Sequence, residues 1–360
     1  MGMNINKESP VPLYIQLENA LREKIRAGLA PGEPIGTIDD ICKAYGVSAI
    51  TVKHSLSRLA YDGIVKSIKS RGYFVKKAPA SENNAKIVAF VTFIGERAVL
   101  NAMYVRLFEG AYSVLRKNDF VLSIYSPEEL ISENTYRNPD FYGFIITGLR
   151  NPIFHDALFS SDARFILTDI YSDMYPSILT DNRFGTGLAI DHLAKLGHKK
   201  IAIVKGYTED ETFEARFEGY REALKKNKIE IMDDFAFDDL KIPPDERIKA
   251  MKKMLTAKGR PTAIFFASDL LAQYYVPEIR KMGFRIPEDL SVVGFDDQEA
   301  SYYMDPPLTT VKQPMFEVGR RAAQMLLDMK DDRRAFFSQK PILIKPELVI
   351  RKSCAPPPAV

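Results

Sequence analysis

The sequence predicts an α/β protein: a body of two Rossmann-like lobes with parallel sheets, preceded by a small α+β winged helix-turn-helix domain. Three observations carry this reading. From residue 87 onward, continuous apolar runs of strand length alternate with helix-period segments, the pattern of parallel strands buried on both faces. Residues 1–77 read instead as helix, helix-turn-helix and two short strands. Charge divides the same way, with 12 basic against 7 acidic residues over 1–80 and 38 against 40 over the rest. A basic head on a near-neutral body assigns a polyanion to the head and another duty to the body.

The head opens on a helix-period stripe of Leu13, Leu17, Ala20, Leu21 and Ile25, stopped by Ala30-Pro31-Gly32-Glu33-Pro34. Thr37-Ile38-Asp39-Asp40 starts a second helix as a capping box does, with Ile41 and Ala44 inward. Gly46 permits the turn, Ser48 caps a third helix with Val52, Leu56 and Leu59 inward, and Gly63 closes it. Ile64–Ile68 and Gly72–Val75 follow as strands with Lys69-Ser70-Arg71 at the tip. Residues 78–86, rich in Pro, Ser and Asn, read as a linker, residues 87–354 as the body, and the proline-rich 355–360 as a disordered tail.

In the body, strands are expected at Ile87–Phe93, Val121–Ile124, Gly143–Thr147, Phe165–Asp169, Ile201–Lys205, Ala263–Ala267 and Ser291–Phe295. Helices are expected at Tyr104–Leu115, Thr186–Leu196, Phe213–Asn227, Pro244–Thr256, Leu270–Gly283 and Phe316–Met329. About 270 residues is long for one open sheet, so two lobes are the economical solution.

Several function classes are excluded. No apolar run reaches the ~20 residues of a membrane span, and the first dozen residues lack the core of a secretory signal. Cys42 and Cys354 form no disulfide framework, which points to the cytoplasm. Four histidines without paired spacing make no metal site. No GxGxxG, GxxxxGK[ST] or GxSxG motif occurs and no lysine has the setting of a Schiff-base residue, so neither an enzyme nor a bound cofactor is expected.

The third helix presents Ala49, Ile50, Thr51, Lys53, His54 and Ser57 away from its core face, small, hydroxyl and cationic groups suited to a major groove. Lys66, Lys69 and Arg71 beside Gly72 suit phosphates. The candidate DNA contacts are Thr37, Ser48, Thr51, Lys53, His54, Lys69, Arg71 and Gly72. In the body, Thr147, Asp169, Ser268-Asp269 and Asp296 are polar at strand carboxyl ends, where open α/β sheets bind ligands. Carboxylates converging there with Arg216 would give directional partners for sugar hydroxyls. Asp181, Asp289 and Asp297 read as caps or turn residues, and His198 as structural.

Two resemblances sharpen these expectations. Pro12-Leu13-Tyr14-Ile15-Gln16-Leu17, Ala30-Pro31-Gly32-Glu33, Val47-Ser48, Thr51-Val52-Lys53, Asp62-Gly63-Ile64-Val65 and Arg71-Gly72-Tyr73-Phe74-Val75 resemble the GntR-family DNA-binding domain over residues 10–77. Its contacts carry onto Thr51, Lys53 and Gly72, while Asp39 and Ala49 stand where the family usually has Arg. From Ile87 to Ser353, the phrases Asp181-Asn182, Arg216-Phe217-Glu218-Gly219-Tyr220, Pro261–Asp269, Gly283–Asp297 and Pro307–Gln313 resemble the LacI/GalR family. That resemblance implies a periplasmic-binding-protein-like fold, with lobes joined by three crossings near residues 182, 312 and 341. It implies effector contacts at Tyr104, Thr147, Asp169, Arg216, Ser268 and Asp296, with Ser268 in place of a frequent Asn. As the chain has no Trp, a stacking platform falls to Tyr104 with Phe235 or Phe237. The LacI-type head with its hinge helix is absent. Together the resemblances imply a homodimeric sugar-responsive regulator, a repressor, that binds an operator in double-stranded DNA. The alternatives are an activator or a cytoplasmic ligand-binding protein whose effector is not a sugar.

Overall fold

The computed structural model describes residues 5, 12–26, 29–61, 64–68, 71–76, 87–92, 102–132, 140–148, 163–206, 211–238, 241–329 and 340–358. The chain divides into two compact units, Met1–Asn84 and Ala85–Val360.

In the first unit, helices α1 (Leu13–Arg26), α2 (Ile38–Tyr45) and α3 (Ala49–Tyr61) enclose Leu17, Leu21, Ile41, Val52, Leu56 and Leu59. The capping box forms: the Asp40 N–H donates to Thr37 Oγ1 at 3.2 Å and the Thr37 N–H to Asp40 Oδ2 at 2.8 Å. Strands β1 (Pro34–Gly36), β2 (Val65–Ile68) and β3 (Gly72–Val75) make an antiparallel sheet in the order β1-β3-β2. Sequence reasoning missed β1 because proline reads as a breaker, yet proline is tolerated at the first position of an edge strand. Gly72 (φ +93°) lets β3 close on β1, since a Cβ there would stand 2.9 Å from the Gly36 carbonyl oxygen.

The second unit holds two parallel-sheet lobes. The N-terminal lobe contains β4 (Ile87–Val91), α4 (Ala102–Leu115), β5 (Val121–Tyr125), α5 (Pro127–Ser132), β6 (Phe141–Thr147), β7 (Phe165–Thr168) and β8 (Ser177–Thr180). The chain then crosses at Asp181, which caps α6 (Asn182–Lys195) by accepting the Phe184 N–H at 3.0 Å. The C-terminal lobe continues through β9 (Ile201–Val204), α7 (Glu211–Lys226), β10 (Ala236–Phe237), α8 (Arg247–Thr256), β11 (Ala263–Phe266), α9 (Asp269–Lys281), β12 (Ser291–Asp296), α10 (Glu299–Tyr302) and β13 (Thr309–Lys312). The second crossing, Gln313-Pro314, returns to α11 (Met315–Asp328), which packs on α4. Strand β14 (Ile342–Ile344) joins the first sheet and β15 (Glu347–Val349) the second, so the third crossing is at Lys345-Pro346 rather than 341.

The sheets run β5-β4-β6-β7-β8-β14 and β10-β9-β11-β12-β13-β15, parallel except for the β13–β15 pair. Apart from its last strand, each has the doubly wound order in which the crevice opens beside the first strand at the carboxyl edge. Each lobe also has a helix pair brought to backbone contact by glycine. A Cβ on Gly110 of α4 or Gly319 of α11 would fall inside the facing carbonyl oxygen, and one on Gly219 of α7 would lie 2.6 Å from the Arg183 oxygen on α6.

The tail expected to be disordered is placed as far as residue 358. His198 lies fully buried with Nε2 2.9 Å from the Ala355 carbonyl oxygen and Nδ1 2.9 Å from Thr262 Oγ1. A carbonyl only accepts, so Nε2 carries the proton and Nδ1 accepts from Thr262. Ser291 Oγ donates to the same carbonyl and accepts the Ala355 N–H, so side-chain hydrogen bonds hold the start of a segment whose prolines suggested no order.

Candidate effector cleft and DNA-reading face

A cleft of about 660 Å³ opens at the carboxyl edges of both sheets. Five of the six expected effector residues line it: Tyr104, Asp169, Arg216, Ser268 and Asp296. Thr147 does not; it is fully buried at the end of β6, and its Oγ1 has no hydrogen-bond partner among the described residues. Phe235 and Phe237 are also absent from the cleft, because both pack into the C-terminal core. The aromatic walls beside Tyr104 are instead Phe213 and Tyr274, with Met103, Leu270 and Leu271 completing the apolar surface. Phe213 packs against Gly206, where any Cβ would overlap the ring.

Arg216 projects from α7 and is 4% exposed. Its guanidinium lies 3.8 Å from the Phe295 ring centroid and 5.0 Å from that of Phe213. Nε donates to Asn182 Oδ1 at 2.8 Å, and Nη1 donates to the Ala267 carbonyl at 2.5 Å and sits 3.3 Å from Asp296 Oδ1. A planar cation fixed on three sides and stacked between rings is preorganised to hold a carboxylate in place.

Asp296 occupies a rare backbone region (φ +121°), and Asp169 adopts φ +56°. Such strain in a non-glycine residue persists only where the surroundings impose it, and it clusters at ligand sites. Gln313, at the second crossing, donates from Nε2 to Asp296 Oδ1 at 2.8 Å and accepts at Oε1 from Thr180 Oγ1 at 2.8 Å. One buried amide thus links the first and second crossings to the cleft. Burial raises the Asp296 pKa against the pull of Arg216 and Gln313.

Beside it, Asp269 is fully buried and accepts from Thr310 Oγ1 (2.6 Å), Ser301 Oγ (2.7 Å) and the Gln298 N–H (2.9 Å). Burial, then the charge of Asp296, push its carboxyl up to about 7. Gly294 makes room for this carboxylate, which a Cβ would strike. Sequence reasoning noted Ser268-Asp269 at a strand end but did not assign Asp269 a role, and it missed Asn182, Gln313, Thr212 and Arg247. Their signal was position alone, at crossings or helix starts. Ser268 serves α9 as its cap, accepting the Leu271 N–H at 3.4 Å.

On the head, Ser48, Lys53, His54 and Arg71 are exposed and Thr51 is half-buried. Ser48 Oγ accepts the Thr51 N–H at 3.3 Å and lies 2.9 Å from Thr51 Oγ1. His54 stacks on Tyr14 with centroids 4.2 Å apart. Thr37 is exposed, but its hydroxyl donates to Asp40 Oδ2 at 2.6 Å, so it acts first as a cap. Thr37 also borders Gly72, bringing the start of α2 against the wing. Lys69 lies outside the described residues.

Two family models match separate segments of the chain. Residues 13–75 match the family of bacterial regulatory proteins, gntR family, and residues 190–354 match the periplasmic binding protein-like domain. The arabinose metabolism transcriptional repressor of Geobacillus stearothermophilus is 27% identical over 379 residues, covering 96% of this chain and 99% of that protein. The HTH-type transcriptional repressor PurR of Haemophilus influenzae (strain PittEE) is 27% identical over 341 residues, covering 89% of this chain and 98% of that one. Among solved structures, a LacI family transcriptional regulator from Enterococcus faecium with bound ribose superposes with a TM-score of 0.60 at 27% identity, covering 75% of this chain and 99% of that one. All three are named as regulators of transcription.

Proposed function

From a chain that joins a gntR-type helix-turn-helix domain to a periplasmic-binding-protein-like, LacI-type body, we propose a transcriptional repressor whose DNA affinity is set by a small sugar. The observation that carries the sugar is the Arg216–Asp296 pair in the cleft, an adjacent cation and carboxylate able to donate to and accept from neighbouring hydroxyls. Asp169, Tyr104 and Ser268 add directional partners, and Phe213 and Tyr274 supply faces for a pyranose or furanose ring. The named arabinose repressor and the ribose-bound regulator support the same class.

Thr51, Lys53, His54, Arg71 and Gly72 serve the head as groove and phosphate contacts, with Ser48 and Thr37 holding the helix starts. Lys69 joins them from the wing tip. The protein acts as a homodimer in the cytoplasm on a two-fold operator, and the sugar stabilises the lobe arrangement that releases it.

The test is operator affinity, by fluorescence anisotropy on a duplex enriched from a random pool, with and without L-arabinose, D-ribose and other pentoses. A coupling of about 1–3 kcal/mol gives a 5–150-fold weakening by one of them. A sugar that binds the body without altering DNA affinity overturns the regulatory link. A second reading, an effector other than a sugar, is favoured by the apolar walls of Phe213, Leu270, Leu271 and Tyr274, which also fit a flat unsaturated ring. Nucleobases in the same panel separate the two.

A further inference from the structure

We propose that Ile50 determines operator specificity by seating its side chain against thymine 5-methyl groups in the major groove, an inference that rests on the head binding DNA. Among the described residues it is the most exposed large apolar side chain, at 81%. It leads the outward stripe of α3, followed by Lys53 and His54 and then Ser57, at the i, i+3/i+4, i+7 spacing of one helix face. The opposite face, Val52, Ser55, Leu56 and Leu59, is wholly buried, so no fold requirement calls for isoleucine at position 50.

The neighbouring groups at this corner offer few free polar atoms. Ala49 beside it is exposed and carries only a methyl group. Ser48 and Thr51 face one another at 2.9 Å, so their hydroxyls partly satisfy each other. What the first turn offers outward is therefore a cluster of methyl groups. The stripe behind it is cationic and polar through Lys53 and Ser57, with Lys43 exposed on α2. A protein partner would need a wider apolar patch. A polyanion that carries small apolar knobs fits better, and in the major groove the thymine methyl is the apolar group at the base edges.

The experiment uses the full chain, a duplex enriched from a random pool, and the same duplex with each thymine in turn replaced by deoxyuridine, which removes only the methyl group. Wild type, Ile50→Val and Ile50→Ala are compared by anisotropy. At one or two positions per half-site, deoxyuridine should weaken wild type and Ile50→Val about three- to tenfold and leave Ile50→Ala unchanged. Equal effects on wild type and Ile50→Ala at every position, or an enriched duplex without required thymines, overturn the proposal. A wild-type chain that enriches and binds no duplex overturns the head's DNA role itself, a distinct result.

Discussion

Arg216 and the aspartates beside it concentrate the charge of the cleft in a buried volume. Asp269 and Asp296 repel one another, and among the described residues only Asp296 has a cation alongside. In the folded state the Asp269 pKa lies above its ordinary 3.8, at about 7, so the native protein binds this proton more tightly than the unfolded chain. The stability this group contributes is therefore complete below pH ~4 and is lost as pH rises towards 7. Asp296→Asn removes the second cause of this shift and also a carboxyl whose own pKa burial raises, so on both counts urea unfolding across pH 4.5–7.5 should lose less stability with rising pH than wild type does. Equal slopes would mean that Asp296 neither has a raised pKa of its own nor acts on Asp269. The half-buried His192 and the buried His198, lowered mainly by burial, change stability in the opposite sense over part of this range but are common to both proteins. These residues also mark what the sequence disclosed of the site. Carboxylates at strand ends and a lone arginine were visible because ligands collect there. The positive φ of Asp169 and Asp296 and the amide bridge of Gln313 depend on tertiary contacts and left no local trace.

Among elements, the buried strands β6, β9, β11 and β12 were legible because strands covered on both faces read as unbroken apolar runs. The short β13 and β14, beside the second and third crossings, were not: β13 is Thr-Thr-Val-Lys with no apolar run, and the three residues of β14 are too few to read as one. The helix crossings were also hidden, because a glycine within a helix looks like a weakness until its neighbour is known. Gly319 and Gly110 allow α4 and α11 to meet backbone to backbone. Gly319→Ala should destabilise the body by about 3 kcal/mol, the upper end of ordinary overpacking, because the obstructing atom is a carbonyl with no rotamer to change. Gly187→Ala, in the middle of α6 with open space around it, should instead stabilise by about 0.5–1 kcal/mol. Urea midpoints of the two variants should move in opposite directions, and a shared sign would contradict the packing described.

For the whole molecule, the proposed function gives the two units different ligands. The division at Asn84/Ala85 falls inside the stretch that composition marks as a linker. A sugar at one hundred times its dissociation constant should add about 2.7 kcal/mol to the stability of the body, seen as a higher melting temperature. Lys53→Ala should keep that rise and lose DNA affinity, while Arg216→Met should lose the rise; a sugar effect abolished by Lys53→Ala would contradict this separation. The glycine contact between α4 and α11 has a mechanical result. Where Gly110 and Gly319 meet the facing carbonyls no side chain lies between the backbones, so sliding one helix along the other would drive backbone into backbone and the pair is expected to move together. Its edges are Tyr104, on the cleft, and Met315, just past the second crossing. A ligand that pulls on Tyr104 would on this geometry be felt at Pro314, one residue before the partner helix begins.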